Sequence, residues 1–304
     1  MSGILGDDES MEIIDPHVHF LDPDRFDYPW LEDPEFSQLR RQFLPEDLRS
    51  AAGEIGISGC VHVQAEVSRE VDPVAETAWV ASVGAASPGF PFACVAYADL
   101  RAPDLDDVLS RHRDFGIVTG IRQEAWFDPG SKRADIPRQD LLADPRWRAG
   151  YRRLAHYGLA FDLLVWPWQL PDAMRFVGEN PGVIVVVEHL GLPDLTRPDG
   201  LEAWRQGIRA VAGVPHTVLK ISGLAQINRA WTTALVAPLI REAIEEMGVD
   251  RCMFASNYPV EALASSYEQL WTAYHAVVAD FSPVDRKALF GGTARRVYRW
   301  PPDT

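Results

Sequence analysis

Short runs of Val, Ile, Phe and Ala alternate along this chain with longer segments in which apolar residues recur at helical spacing. Eight runs stand out, at about 12–16, 59–65, 91–97, 117–122, 160–166, 183–188, 216–221 and 251–256. Their length and β-branched content suit strands buried on both faces. Helices are predicted between them over 45–56, 73–86, 104–115, 144–157, 169–180, 200–212 and 232–247, with a C-terminal helical region over 267–298. Asp104 and Asp144 stand where amino-terminal caps belong, and Gly56, Gly158 and Gly248 where helices stop. Eight strands alternating with eight helical stretches is the count of an α/β fold of the (β/α)8 TIM-barrel type, whose function gathers at the carboxyl ends of the strands. A doubly wound open sheet is the alternative, but no Gly-x-Gly-x-x-Gly follows the first strand to favour it.

No repeat, low-complexity tract or composition break marks a linker. One domain is therefore expected over 11–304, preceded by a loosely ordered 1–10. Two connections exceed the usual few residues: 21–44, rich in Asp, Pro and aromatics (Phe26, Tyr28, Trp30, Phe36), and 124–142. They follow strands 1 and 4, so they belong to the catalytic face as walls or lids of a pocket.

Charge narrows the partners. The chain has 44 acidic against 29 basic residues, a net charge of −15 whose field repels phosphates. Nucleic acid and anionic membrane are disfavoured, and a small-molecule substrate is expected. Cys60, Cys94 and Cys252 each lie in an apolar run without disulfide or metal spacing, as buried thiols in a reducing compartment do. No apolar run approaches the roughly 18 residues of a membrane span, and the acidic opening lacks the features of a signal peptide. A cytoplasmic location is expected.

The candidate chemistry begins at Asp15-Pro16-His17-Val18-His19. On a strand, alternate side chains share a face, so His17 and His19 point the same way with Asp15 beneath them. Two such imidazoles suit a divalent cation such as zinc, or the carbonyl and water of a hydrolysis. By the same alternation the second strand puts His62, Gln64 and Glu66 on one side. Later strands end in Arg122-Gln123-Glu124, Trp166, Glu188-His189, Lys220-Ile221-Ser222 and Ser256-Asn257-Tyr258. Polar residues at nearly every strand end mark a site. Lys220, one of only three lysines, suits either a barrel-floor ion pair or a substrate contact.

The segments 14–20 (Ile-Asp-Pro-His-Val-His-Phe), 28–31, 61–66, 120–123, 187–193, 219–223 and 251–260 (Arg-Cys-Met-Phe-Ala-Ser-Asn-Tyr-Pro-Val), taken in order, resemble the amidohydrolase superfamily. More narrowly, they are similar to the branch of 2-pyrone-4,6-dicarboxylate lactonase and the fuconolactone- and rhamnonolactone-type sugar lactonases. The resemblance implies a barrel that opens a small cyclic ester. In it His17, His19 and His189 bind one divalent metal such as zinc, or polarise the carbonyl without one. Binuclear members carry a carboxylated lysine on the fourth strand; Arg122 and Gln123 stand there instead, so a binuclear centre is not expected. The planar fork of Arg122 suits a substrate carboxylate. A homodimer is the assembly the resemblance suggests.

The eighth strand departs from the family pattern, with Asn257 where an aspartate accepts the proton of the attacking water. A neutral amide can orient a water but cannot take its proton. Glu66 or Glu124 then supplies the base, or a neighbouring histidine or metal activates the water. Asp15, Glu66 or Glu188 would fix the imidazole tautomers, although alternation turns Glu188 away from His189 toward the helix layer. Arg122, Gln64, Gln123 and Lys220 are expected to touch substrate, with Tyr28, Trp30 and Trp166 as an apolar wall. A lyase acting on carboxylic acids and a non-catalytic binder are the alternatives.

Overall fold

The structure is a computed structural model that describes residues 12–87, 90, 92–128 and 140–299. The stretch 1–10 and the middle of the 124–142 connection therefore lie outside the described residues. Eight parallel strands, β1 (Ile13–Val18), β2 (Ile57–Val63), β3 (Phe92–Tyr97), β4 (Val118–Arg122), β5 (Ala160–Leu163), β6 (Val185–Val187), β7 (Thr217–Ile221) and β8 (Cys252–Phe254), neighbour one another in chain order. Between them run helices α1 (Pro45–Ala52), α2 (Pro73–Ala85), α3 (Leu105–Arg113), α4 (Pro145–Tyr157), α5 (Leu170–Gly178), α6 (Gly200–Ala212), the single turn α7 (Leu224–Ile227) and α8 (Thr233–Met247). The C-terminal region is divided into α9 (Tyr267–Val277), α10 (Pro283–Lys287) and α11 (Thr293–Val297). This is the (β/α)8 barrel expected from the hydrophobic pattern. None of the described helices is long and apolar enough to cross a membrane.

The helix ends follow local chemistry, with two differences. Asp144 caps α4 by accepting a hydrogen bond from the Arg146 backbone N–H at 2.8 Å, and Gly158 ends that helix at φ 61°. Asp104 makes no capping bond, because its φ −97°, ψ 17° is not the extended conformation that aims a cap side chain at the first turn. The first helix stops at Gly53, at φ 52°, before the expected Gly56.

β8 is short, and the ring closes through the segment that follows it. Val18 bridges Tyr258 in parallel. The Asn257 N–H donates to the His17 carbonyl at 2.9 Å, and the His19 N–H to the Tyr258 carbonyl at 2.7 Å. The wholly buried Asp15 braces this seam. Its Oδ1 accepts from the backbone N–H of Ser256 at 2.9 Å and of His17 at 3.3 Å, and its Oδ2 from the Tyr267 hydroxyl at 2.9 Å.

That role corrects the expectation that Asp15 sits beneath the imidazoles. Asp15 pairs with Cys60 but Val18 with His62, so β1 carries one extra residue between them. Such a bulge breaks the two-residue alternation. Asp15 turns to the seam and α9 while the histidines keep the barrel mouth.

Candidate active site

The pair is close: His17 Nε2 lies 3.1 Å from His19 Nε2. The His189 ring stands 4.7 Å from that of His17, so a segment some 170 residues downstream by sequence number joins the first strand at one mouth. Each ring is steered by its other nitrogen. His19 Nδ1 lies 2.8 Å from the Val63 carbonyl, which can only accept, so this nitrogen carries the proton and Nε2 presents a lone pair. His189 Nδ1 is 2.9 Å from the Ser222 hydroxyl. Gly223 is needed beside it: at φ +65° a Cβ would come within 2.8 Å of the His189 ring.

His17 Nδ1 faces two groups of opposite preference, Lys220 Nζ at 3.3 Å and Glu188 Oε1 at 3.3 Å. An ammonium donates to Nδ1 and leaves the proton on Nε2, which can then bond to His19. A carboxylate accepts from Nδ1–H and leaves two Nε2 lone pairs facing each other. Lone pairs at that spacing suit a shared cation, since two ligands at 2.0–2.1 Å on tetrahedral zinc are roughly 3.3 Å apart. Burial holds His17, His19 and His189 well below the ordinary histidine range; Lys220 adds to it for His17, and Arg122 for His19 and His189. Neutral imidazoles are the form that ligates.

Glu188 is the residue that alternation misplaced. Its carboxylate is buried inside the mouth, contacting His17 and, through Oε2, Arg122 Nη1 at 3.2 Å. The strand ends at Val187, and His189 and Leu190 both take left-handed backbone, at φ 53° and 56°. Successive side chains therefore no longer fall on opposite faces. His17, Glu188 and His189 have ligand atoms all within 4.8 Å of one another, so Glu188 takes the place expected of His19 in that grouping.

The cavity above these groups is about 380 Å³. His19, His189, Asn257, Arg122, Glu66 and Glu124 line it together with Trp30 and Trp166. Asn257, at φ +60°, is buried, and its Nδ2 has no hydrogen-bond partner among the described residues. Glu66, also at positive φ, is held by Gln64 Nε2 and by Arg69. Glu124 is pushed well above the ordinary carboxyl range by desolvation and by the Glu66 carboxylate, against the pull of Arg122. Burial opposes the charge of Arg122, but Glu188, Glu124 and Glu66 around it keep it protonated.

Other expected contacts are turned elsewhere. Gln123 Oε1 accepts from Leu100 N–H and Trp147 Nε1, placing it in the helix layer. His62 likewise faces outward, Nε2 3.3 Å from Glu76 on α2, so it does not share a side with Glu66. Gln64 supports Glu66 from behind the cavity wall. The Tyr28 hydroxyl accepts from the Asp22 N–H and borders a separate surface cavity. Lys220 is wholly buried below His17, paired with Asp162 at 2.6 Å; it is the barrel-floor ion pair and not a substrate contact. Arg122 donates through Nη2 to the Gln64 carbonyl at 2.6 Å and through Nη1 to Glu188, so its fork already has partners. Trp126, which also lines the cavity, was hidden in the long connection after β4.

Residues 14–300 match the family described as amidohydrolase. A Sinorhizobium fredii protein called uncharacterized protein y4mH is 35% identical over 94% of this chain and 98% of its own length. An L-fucono-1,5-lactonase of Burkholderia multivorans is 31% identical over 95% of this chain and 96% of its own. The crystal structure of a B. multivorans amidohydrolase with bound zinc superposes with a TM-score of 0.81 at 29% identity, covering 95% of this chain and 99% of that one.

Proposed function

The chain belongs to the amidohydrolase family, and from that premise we propose that it hydrolyses a small lactone at the barrel mouth. The observation that carries the reading is the convergence of three neutral imidazoles and the Asn257 Nδ2, which has no partner among the described residues, at one cavity in the barrel mouth. A carbonyl placed there accepts a hydrogen bond from Asn257 Nδ2, which would then stabilise the charge that develops on oxygen during attack. Water bonds to the carbonyl carbon as Glu124, a carboxylate whose affinity for protons is raised by burial and by the neighbouring Glu66, takes its proton. The ring C–O bond then breaks, and Glu124 returns the proton to the departing oxygen, giving a hydroxy acid. Glu66, clamped by Gln64 and Arg69, keeps Glu124 basic through like charge.

The donor set fits a zinc-class cation: His17, His19, His189 and Glu188 would hold it. Bound there, such an ion supplies Lewis acidity and lowers the pKa of water to about 7.

A lactone panel read with a pH indicator tests the activity, and the absence of acid release from every member overturns it. Glu124→Gln is expected to lower kcat by at least about 100-fold. A rate equal to the parent's would remove Glu124 as the base.

A further inference from the structure

The side of the cavity away from the imidazoles has its own composition. Trp126, Leu164, Leu192 and Trp166 form a small apolar cluster separate from the main core, and all four line the cavity. Trp126 and Trp166 lie 5.3 Å apart between ring centroids. Trp30 and Phe36, also on the cavity, pack edge to face at 5.1 Å, with Trp30 fixed by a bond from Nε1 to the Ala65 carbonyl at 2.8 Å. A cluster of this kind is not filling the protein interior. Its members are largely buried and Trp166 also stacks on Trp168, but the apolar surface they present to the cavity is stabilised when a ligand covers it.

Charge at the other end points the same way. The Arg122 guanidinium is surrounded by Glu188, Glu66 and Glu124, and its two Nη groups already have protein acceptors. Among the described residues that line the cavity, Glu35, Glu66 and Glu124 outnumber Arg122 and Arg229, and Arg229 is itself paired with Glu35 at 3.0 Å, so a substrate carboxylate finds no cation there without a carboxylate beside it. A sugar lactone lying on the aromatic wall would set the hydroxyls of one face against indole and leucine, leaving those without partners, while Glu35, Gln226, Asn228 and Arg229 elsewhere in the lining could meet others.

Resting on the lactonase reading, we propose that the natural substrate is an uncharged lactone bearing an aromatic or flat apolar group, the ring held between the Trp30 and Trp126–Trp166 walls. This departs from the carboxylated ester that the Arg122 motif suggested. It also differs in chemical class from a sugar lactone.

Three lactones separate the classes: 3,4-dihydrocoumarin for the aryl class, D-glucono-1,5-lactone for the polyhydroxylated class and 2-pyrone-4,6-dicarboxylate for the anionic class. The expected result is a kcat/KM for dihydrocoumarin at least about 100-fold above both others, and loss of about ten- to 100-fold through KM in Trp126→Ala and Trp166→Ala. Equal or better turnover of the sugar or anionic lactone overturns the proposal, as does an unchanged KM in both tryptophan variants. The lactam analogue 3,4-dihydroquinolin-2-one, followed by tryptophan fluorescence, keeps the two readings apart. If no lactone is opened but the lactam binds and Trp166→Ala abolishes binding, the ligand class stands and the hydrolase reading falls. If neither is opened nor bound, the ligand class falls as well.

Discussion

Asp15 and His17 stand two residues apart on one strand, both wholly buried, and the structure treats them in opposite ways. Asp15 has backbone donors on one oxygen and a tyrosine hydroxyl on the other. Around His17 the account does not close: Asn257 Nδ2 and Arg122 Nε lack partners among the described residues, and His17 Nδ1 is contested by a cation and an anion. A saturated buried carboxylate holds the fold together. Groups left incomplete at a cavity are kept for something that arrives from solution.

The comparison can be broken most forcefully at Asp15. Asp15→Ala strands two buried N–H groups and a hydroxyl, and should cost about 3–5 kcal/mol in denaturant unfolding. A loss under ~1 kcal/mol would mean the seam holds without it. Asn257→Ala should show the reverse profile. Its kcat/KM for a hydrolysed lactone is expected to fall about 100- to 1,000-fold while stability stays within ~1 kcal/mol. A large drop in stability at unchanged rate would move Asn257 into the structural class.

Glu261 sharpens the comparison, because it is saturated like Asp15 yet sensitive to pH. It accepts from the Ala225 N–H at 3.1 Å and Trp231 Nε1 at 2.7 Å, tying down the turn that borders the cavity, and burial raises its pKa from 4.5 to about 7. A raised pKa means the fold favours the protonated form. Its contribution is complete below pH 4.5 and is lost as pH rises through about 7. Stability should therefore fall by the order of 2 kcal/mol between pH 5 and 8. Glu261→Gln, which keeps an acceptor, should flatten that slope; an unaltered slope assigns it to another group. The smallest effect is expected at the contested nitrogen. Glu188→Gln should weaken zinc binding by about 10- to 100-fold in a chelator competition, and Lys220→Met should strengthen it, although the latter leaves Asp162 short of a partner. Shifts of the same sign would show that the two groups do not compete for His17.

The barrel was legible because strands covered on both faces must be apolar throughout, so eight runs gave eight strands within a few residues. The meeting of His17, His19 and His189 was legible because polar residues cluster at the carboxyl ends of several strands, where a barrel gathers its side chains at one mouth. Alternation failed wherever the backbone left the regular pleat: at the bulge that separates Asp15 from His17, and at His189 and Leu190, whose left-handed turns bring Glu188 inward. Neither deviation is carried by glycine; Pro16, which cannot donate to the ladder, was the local sign of the first, and the residue types of His189 and Leu190 announced nothing of the second. Tyr28 and Gln123 were misplaced for another reason. Their polar ends find partners within the loop or the helix layer, and a linear pattern cannot distinguish such a partner from a ligand.

The amides that join the first strand to the segment after the eighth belong to His19 and Asn257, both of which also line the cavity. The clasp of the ring and part of the cavity lining are the same few peptide units. Solvent exchange at those two amides should demand the same opening that disables turnover, so under mild denaturant the two should be lost together, ahead of global unfolding.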